Sequence, residues 1–136
     1  MKTLKTEFSS NRNNFRYAEA ILFKANEEFK LNESDFRNLL IAVSEIVINA
    51  IVHGNKEDES KMVEVLIEYD ESGMKIKICD EGNGFKATDV SDPTLRENIL
   101  KASGRGLFII KSLVEEFNYR HTDKGSEFIL KVKKKQ

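Results

Sequence analysis

Apolar and polar residues alternate along this chain with two different periods, and the switches between them mark the elements. Residues about 2–9 alternate with a period of two, which puts Leu4, Thr6 and Phe8 on one side of a predicted strand. From Asn11 to about Phe29 the spacing lengthens, and Phe15, Ala18, Leu22, Ala25 and Phe29 make one apolar stripe of a helix. A second helix begins near Asn32-Glu-Ser34, whose short polar side chains suit a cap, and stops at Gly54. Strands are predicted at about 62–70 and 74–80, separated by Glu71-Ser-Gly73, a short turn with the glycine that such turns need. After Phe85 comes a polar stretch with the only proline, Pro93, and a short helical piece near Leu95 to Lys101. A helix from Gly104 to about Phe117 presents Leu107, Ile110, Val114 and Phe117, and Asn118 to Lys133 reads as a final hairpin turning at Asp123-Lys-Gly125.

This order fits a two-layer α/β (α+β) sandwich, a mixed but mostly antiparallel sheet with its helices on one face. With 136 residues, 40% apolar and 33% charged, the chain is expected to be one domain, 1–136, around one core. A net charge of −1 argues against a sequence-independent grip on nucleic acid. The basic tail Lys131 to Gln136 is read as shielding an edge strand. No apolar stretch near membrane-span length and no signal-peptide pattern is read, and the lone Cys79 can form no internal disulfide. The expectation is a cytoplasmic protein that does not enter a membrane. The acidic run Glu57-Asp-Glu59 is read as a solvated loop, and Cys79 as a small filler.

Three stretches carry candidate chemistry. In Ile41-Ala-Val-Ser-Glu45-Ile-Val-Ile-Asn49-Ala-Ile-Val-His53-Gly54, helical spacing stacks Glu45, Asn49 and His53 on one stripe of an otherwise apolar helix. Buried polar atoms there need partners: other side chains, or a ligand with a metal. In Met74-Lys-Ile-Lys-Ile-Cys-Asp80-Glu-Gly82-Asn-Gly84-Phe85, parity places Asp80 on the core side with Met74, Ile76 and Ile78. Gly82 and Gly84 then let a flat group approach the main chain. Ser103-Gly104-Arg105-Gly106-Leu107 is a glycine-rich turn entering a helix, a place where free N–H groups and the helix dipole bind phosphate. Ser126 shares parity with Phe128, Leu130 and Val132, so its hydroxyl faces the layer that Asp80 faces. Each stretch alone also has a structural reading: Glu45 and Asn49 bridging a buried Arg or capping a neighbouring loop, and an ordinary turn for Asp80 to Gly84.

In their order, Glu45-x3-Asn49-Ala with His53-Gly54, then Asp80-x-Gly82-x-Gly84-Phe85, then Gly104-Arg105-Gly106-Leu107 resemble the N, G1 and G2 boxes of the GHKL ATPases. This is the superfamily of gyrase B, heat-shock protein 90, histidine kinases and MutL, and the chain is most similar to its stand-alone anti-sigma factor serine/threonine kinases. The resemblance implies a Bergerat-type ATP-binding fold with the nucleotide between helices and sheet, under a lid at about 86–103. It implies that Asp80 accepts from the adenine amine, assisted by Ser126 where relatives commonly carry Thr. A carboxylate acceptor suits adenine over guanine, whose corresponding position is itself an acceptor. It further implies Asn49 as the Mg²⁺ ligand, Glu45 as the catalytic base, and Gly82, Gly84, Gly104, Arg105, Gly106 and Leu107 around the nucleotide. The implied partners are a sigma factor and an antagonist protein phosphorylated on Ser or Thr, often with the kinase as a homodimer. Neither His53 nor His121 sits where a histidine kinase needs its phosphoacceptor. An ATP/ADP-dependent binding switch without transfer, and an ATPase acting alone, stay open at this point.

Overall fold

The computed structural model describes residues 1–82 and 114–134. Strand β1 (Lys2–Ser9) leads through a 3-10 turn at Arg12–Asn14 into α1 (Phe15–Phe29) and α2 (Glu33–Asn49). Strands β2 (Met62–Tyr69), β3 (Gly73–Asp80), β4 (Val114–Thr122) and β5 (Gly125–Lys133) complete one sheet in the order β1-β2-β3-β5-β4. Every pairing in it is antiparallel. The predicted turn between β2 and β3 is closed by Asp70, whose carboxylate accepts from the N–H groups of Ser72 and Gly73.

The two helices cover one face of the sheet. Ala18, Leu22, Ala25 and Phe29 of α1 and Leu39, Ala42, Val43, Ile46 and Val47 of α2 form one buried cluster with the inward residues of the strands. Those are Val63, Val65 and Ile67 of β2, Met74, Ile76 and Ile78 of β3, and Phe128, Leu130 and Val132 of β5. The opposite face is charged and laced with cross-strand ion pairs, such as Lys77 and Arg120 on Glu127. α2 is capped by the Asn32 side chain, which accepts from the Asp35 N–H at 2.8 Å, with Glu33 and Asp35 favoured in its first turn by the helix dipole. Over Glu33–Gly54 this helix has the length and hydropathy of a membrane span, contrary to the reading that no such stretch exists. Its apolar side is packed on the sheet instead, with Leu39, Ala42, Val43, Ile46 and Val47 fully buried.

Two further expectations change. Val114 and Phe117 belong to β4, not to the end of a helix. A register shift between Val114 and Glu116 inserts one extra residue, so Val114 opposite Val132 and Phe117 opposite Leu130 fall on the same face although three apart. That spacing imitates a helical period. The basic residues Lys131 and Lys133 lie on β5, which is flanked by β3 and β4, so they do not shield an edge. The lid, the helical piece near Leu95, and the start of the helix expected at Gly104 lie outside the described residues.

Candidate functional site

The site is built where the end of α2, the end of β3 and the start of β5 meet. α2 does not stop cleanly: Ala50–Gly54 form one π-helical turn, closed by Asn55 N–H on the Ala50 carbonyl at 2.8 Å. Such wide turns recur at functional sites because they redirect the backbone without ending the helix. Here the turn lays Gly54 against Asp80. A Cβ on Gly54 would stand 2.3 Å from Asp80 Oδ2. A Cβ on Gly82 would stand 1.8 Å from the Gly54 carbonyl oxygen, and one on Gly125 would stand 1.8 Å from the Asp80 carbonyl oxygen. Only glycine fits these three positions, and at Gly125 a φ of +144° requires it independently.

Asp80 is 5% exposed, and its Oδ1 accepts from the N–H groups of Gly82 at 2.9 Å and Ser126 at 3.3 Å. Burial pushes its carboxyl pKa up, opposed by those two hydrogen bonds. The other oxygen, Oδ2, receives no hydrogen bond from the described residues and faces Gly54. Ser126 is also buried, and its hydroxyl lies 2.9 Å from Tyr119 Oη and 3.4 Å from His121 Nδ1. Asp80, Gly82 and Ser126 therefore come together as the sequence implied. Cys79, the residue before Asp80, points to the other face, where burial and then Glu127 push its thiol up to about 11.

Glu45 and Asn49 are both half-buried on α2, the helix that runs to Gly54 beside Asp80. At 1.5 Å rise per residue Glu45 and Asn49 stand about 6 Å apart along the α2 axis, with Asn49 at the end that leads into the π turn. His53, expected on the same stripe, is exposed within the π turn. Gly84, Gly104, Arg105, Gly106 and Leu107 lie outside the described residues. No group of three or more His, Cys, Asp or Glu side chains able to hold a metal occurs among the described residues. An amide oxygen such as that of Asn49 fits an ion that takes few protein ligands beside phosphates and water.

The sequence places Gly54 in the first box and Gly125 in the final turn without a role for either at the site, and it singles out neither Asn55 nor Tyr119. Gly54 was legible as a helix stop, but its contact with Asp80 was not. Asn55 is 1% exposed, and two of its three described side-chain hydrogen bonds go to residues distant in sequence, Ser10 and Glu81. Tyr119 is 6% exposed, and a buried phenol needs a partner, which here is Ser126.

The profile of the family described as the histidine kinase-like ATPase domain matches residues 8–132. This chain belongs to that family. Among curated relatives of this histidine kinase-like ATPase domain is the anti-sigma F factor of Clostridium perfringens, 27% identical over 133 residues, covering 96% of this chain and 95% of that protein. The serine-protein kinase RsbW of Staphylococcus epidermidis is 36% identical over 110 residues, covering 75% of this chain and 69% of that protein. Among solved structures, the RsbU and RsbW domains of a Mycobacterium tuberculosis protein superpose with a TM-score of 0.67 at 21% identity, over 98% of this chain and 32% of that one. At that identity the likeness establishes the fold, an α/β sandwich of the GHKL type.

Proposed function

We propose that this protein is an ATP-binding anti-sigma factor kinase of the cytoplasm, which phosphorylates a Ser or Thr of an antagonist protein and sequesters a sigma factor. The observation that carries the reading is Asp80: a buried carboxylate held through Oδ1, with Oδ2 left beside a wall of glycine backbone. That arrangement suits a flat base with an exocyclic amine, because an ionised carboxylate only accepts. The names of the relatives, an anti-sigma factor and a serine-protein kinase, support the choice of partner and acceptor.

In this reading Asp80 and Ser126 select adenine, and the phosphates extend along α2 toward Asn49 and Glu45. Asn49 would hold Mg²⁺, which when bound supplies positive charge against the phosphate oxygens. Glu45 accepts the proton of the acceptor hydroxyl as that oxygen forms its bond to the γ-phosphorus and the bond to the ADP oxygen breaks. Gly82 and Gly84, with Gly104, Arg105, Gly106 and Leu107, line the nucleotide. Assembly as a homodimer belongs to the same reading.

The test is incubation with γ-labelled ATP, Mg²⁺ and a candidate antagonist. Label on a Ser or Thr of the antagonist is the expected result. Binding of ATP without label would replace the kinase by a nucleotide-dependent switch, and free phosphate without a partner would replace it by an ATPase.

A further inference from the structure

Asn55 is one of four buried polar residues among the described residues, and every hydrogen bond its side chain makes there crosses between elements. Its Nδ2 donates to Ser10 Oγ at 2.8 Å and to the Met62 carbonyl at 3.0 Å, while its Oδ1 accepts from the Glu81 N–H at 2.8 Å. Ser10 Oγ in turn donates to the Lys61 carbonyl at 2.7 Å. The Glu81 carboxylate accepts from the Met62 N–H. One amide therefore joins the end of β1, the start of β2 and the residue that follows β3.

The location of this junction matters more than its number of bonds. Asn55 directly follows Gly54, whose Cα lies against the Asp80 carboxylate, and it holds Glu81, which directly follows Asp80. It thus ties the two walls of the site to each other across the carboxylate. The π turn aims it inward: the bond from Asn55 N–H to the Ala50 carbonyl fixes the backbone from which the side chain departs.

The geometry points to Asn55 as a positioning residue for base selection, resting on the proposed nucleotide reading. It acts through Asp80 and touches no ligand itself. Its contact with Glu81 holds the Asp80 carboxylate at the distance from Gly54 that lets Oδ2 meet a donor. The contacts with Ser10 and Met62 anchor the clamp to the sheet.

The experiment measures the dissociation constants of ADP and GDP for the full chain and its variants, at a temperature where circular dichroism shows each folded. Asn55→Ala is expected to raise Kd for ADP by about 10-fold, the effect of one misplaced hydrogen bond, and to shrink the preference over GDP. Ser10→Ala, which loosens the anchor but leaves the Glu81 contact, is expected to lower the melting temperature with the ADP/GDP ratio unchanged. A wild-type ratio in folded Asn55→Ala overturns the positioning role, and so does loss of the ratio in Ser10→Ala. Exchange of the Glu81 amide with deuterium is an independent readout: it should accelerate in Asn55→Ala, and an unchanged rate overturns the clamp. If the wild-type chain binds neither nucleotide while that amide accelerates, the nucleotide reading falls and the clamp stands as structure alone.

Discussion

Replacing Asp80 by asparagine separates what this residue does for the fold from what it does for a ligand. Oδ1 accepts from two backbone N–H groups, Gly82 and Ser126, so an amide at this position must place its oxygen there. Its NH₂ then occupies the Oδ2 position beside Gly54. A donor faces the donor of adenine, and the carbonyl of guanine finds a partner instead. Hydrogen bonds to charged groups contribute about 1.5–3 kcal/mol, which corresponds to roughly 10- to 100-fold in Kd. Asp80→Asn should therefore weaken ADP by about that factor and strengthen GDP relative to it.

The apo protein should respond in the opposite sense. Burial raises the Asp80 pKa in the fold, so its contribution to stability is fully present below the ordinary carboxylate range and is lost as pH rises through the raised value. Above that raised value the ionised carboxylate is a net cost that the amide does not carry. The variant should melt at or above the wild type at pH 7, with that advantage fading toward acid. Wild-type affinity for ADP should also fall as the carboxylate protonates, and the variant should lack that pH dependence. Calorimetric titrations with ADP and GDP over a pH series, with thermal melts alongside, test all three. Equal ADP affinity in variant and wild type would refute the assignment of Oδ2 to the base. A variant much less stable at pH 7 would refute the account of the carboxylate's burial.

Glu45→Gln should lower phosphoryl transfer by about 10²–10⁴ while leaving the Kd of ATP within a few-fold, as expected for a lost general base; single-turnover assays beside equilibrium binding check it. Gly54→Ala drives a methyl to 2.3 Å from Asp80 Oδ2, and with Oδ1 held the carboxylate cannot retreat without breaking its bonds. ADP binding should fall by at least about 10-fold in calorimetry, the loss expected when that hydrogen bond goes. Leu22→Ala removes a fully buried side chain from the packing of α1 and should cost about 2–5 kcal/mol in denaturant unfolding, with the ADP/GDP ratio of the folded protein unchanged.

The elements legible in the sequence are those whose side-chain period survives unbroken. β1, α1, β2, β3 and β5 keep strict alternation or a clean apolar stripe, and parity alone placed Asp80 and Ser126 in one layer. β4 was misread at Val114 to Phe117 because its bulge shifts the phase, and a shifted strand looks like a helix over one turn. α2 is legible in its start and its burial, but not in the π turn that carries it from Asn49 to Gly54, nor in its span-like apolar length: a helix packed on a sheet can be apolar enough for a membrane. Asn55 was invisible for a different reason. Its partners Ser10, Met62 and Glu81 become neighbours only when three strands are aligned, and nothing in the local sequence encodes that meeting.

The sheet order has a consequence for how the molecule is made. Lys77 waits for Ile129 before β3 gains its second neighbour, and Lys2 waits for Tyr69 before β1 has any. Such distant pairings form slowly, because a long stretch of chain must lose its freedom before any contact rewards the closure. During synthesis β3 therefore emerges with one flank bare, and the pocket around Asp80 is completed only when the last strand arrives to bring Gly125 and Ser126. A molecule that fits this pocket can act only on chains that have finished folding, so its presence pulls nascent protein toward the completed state.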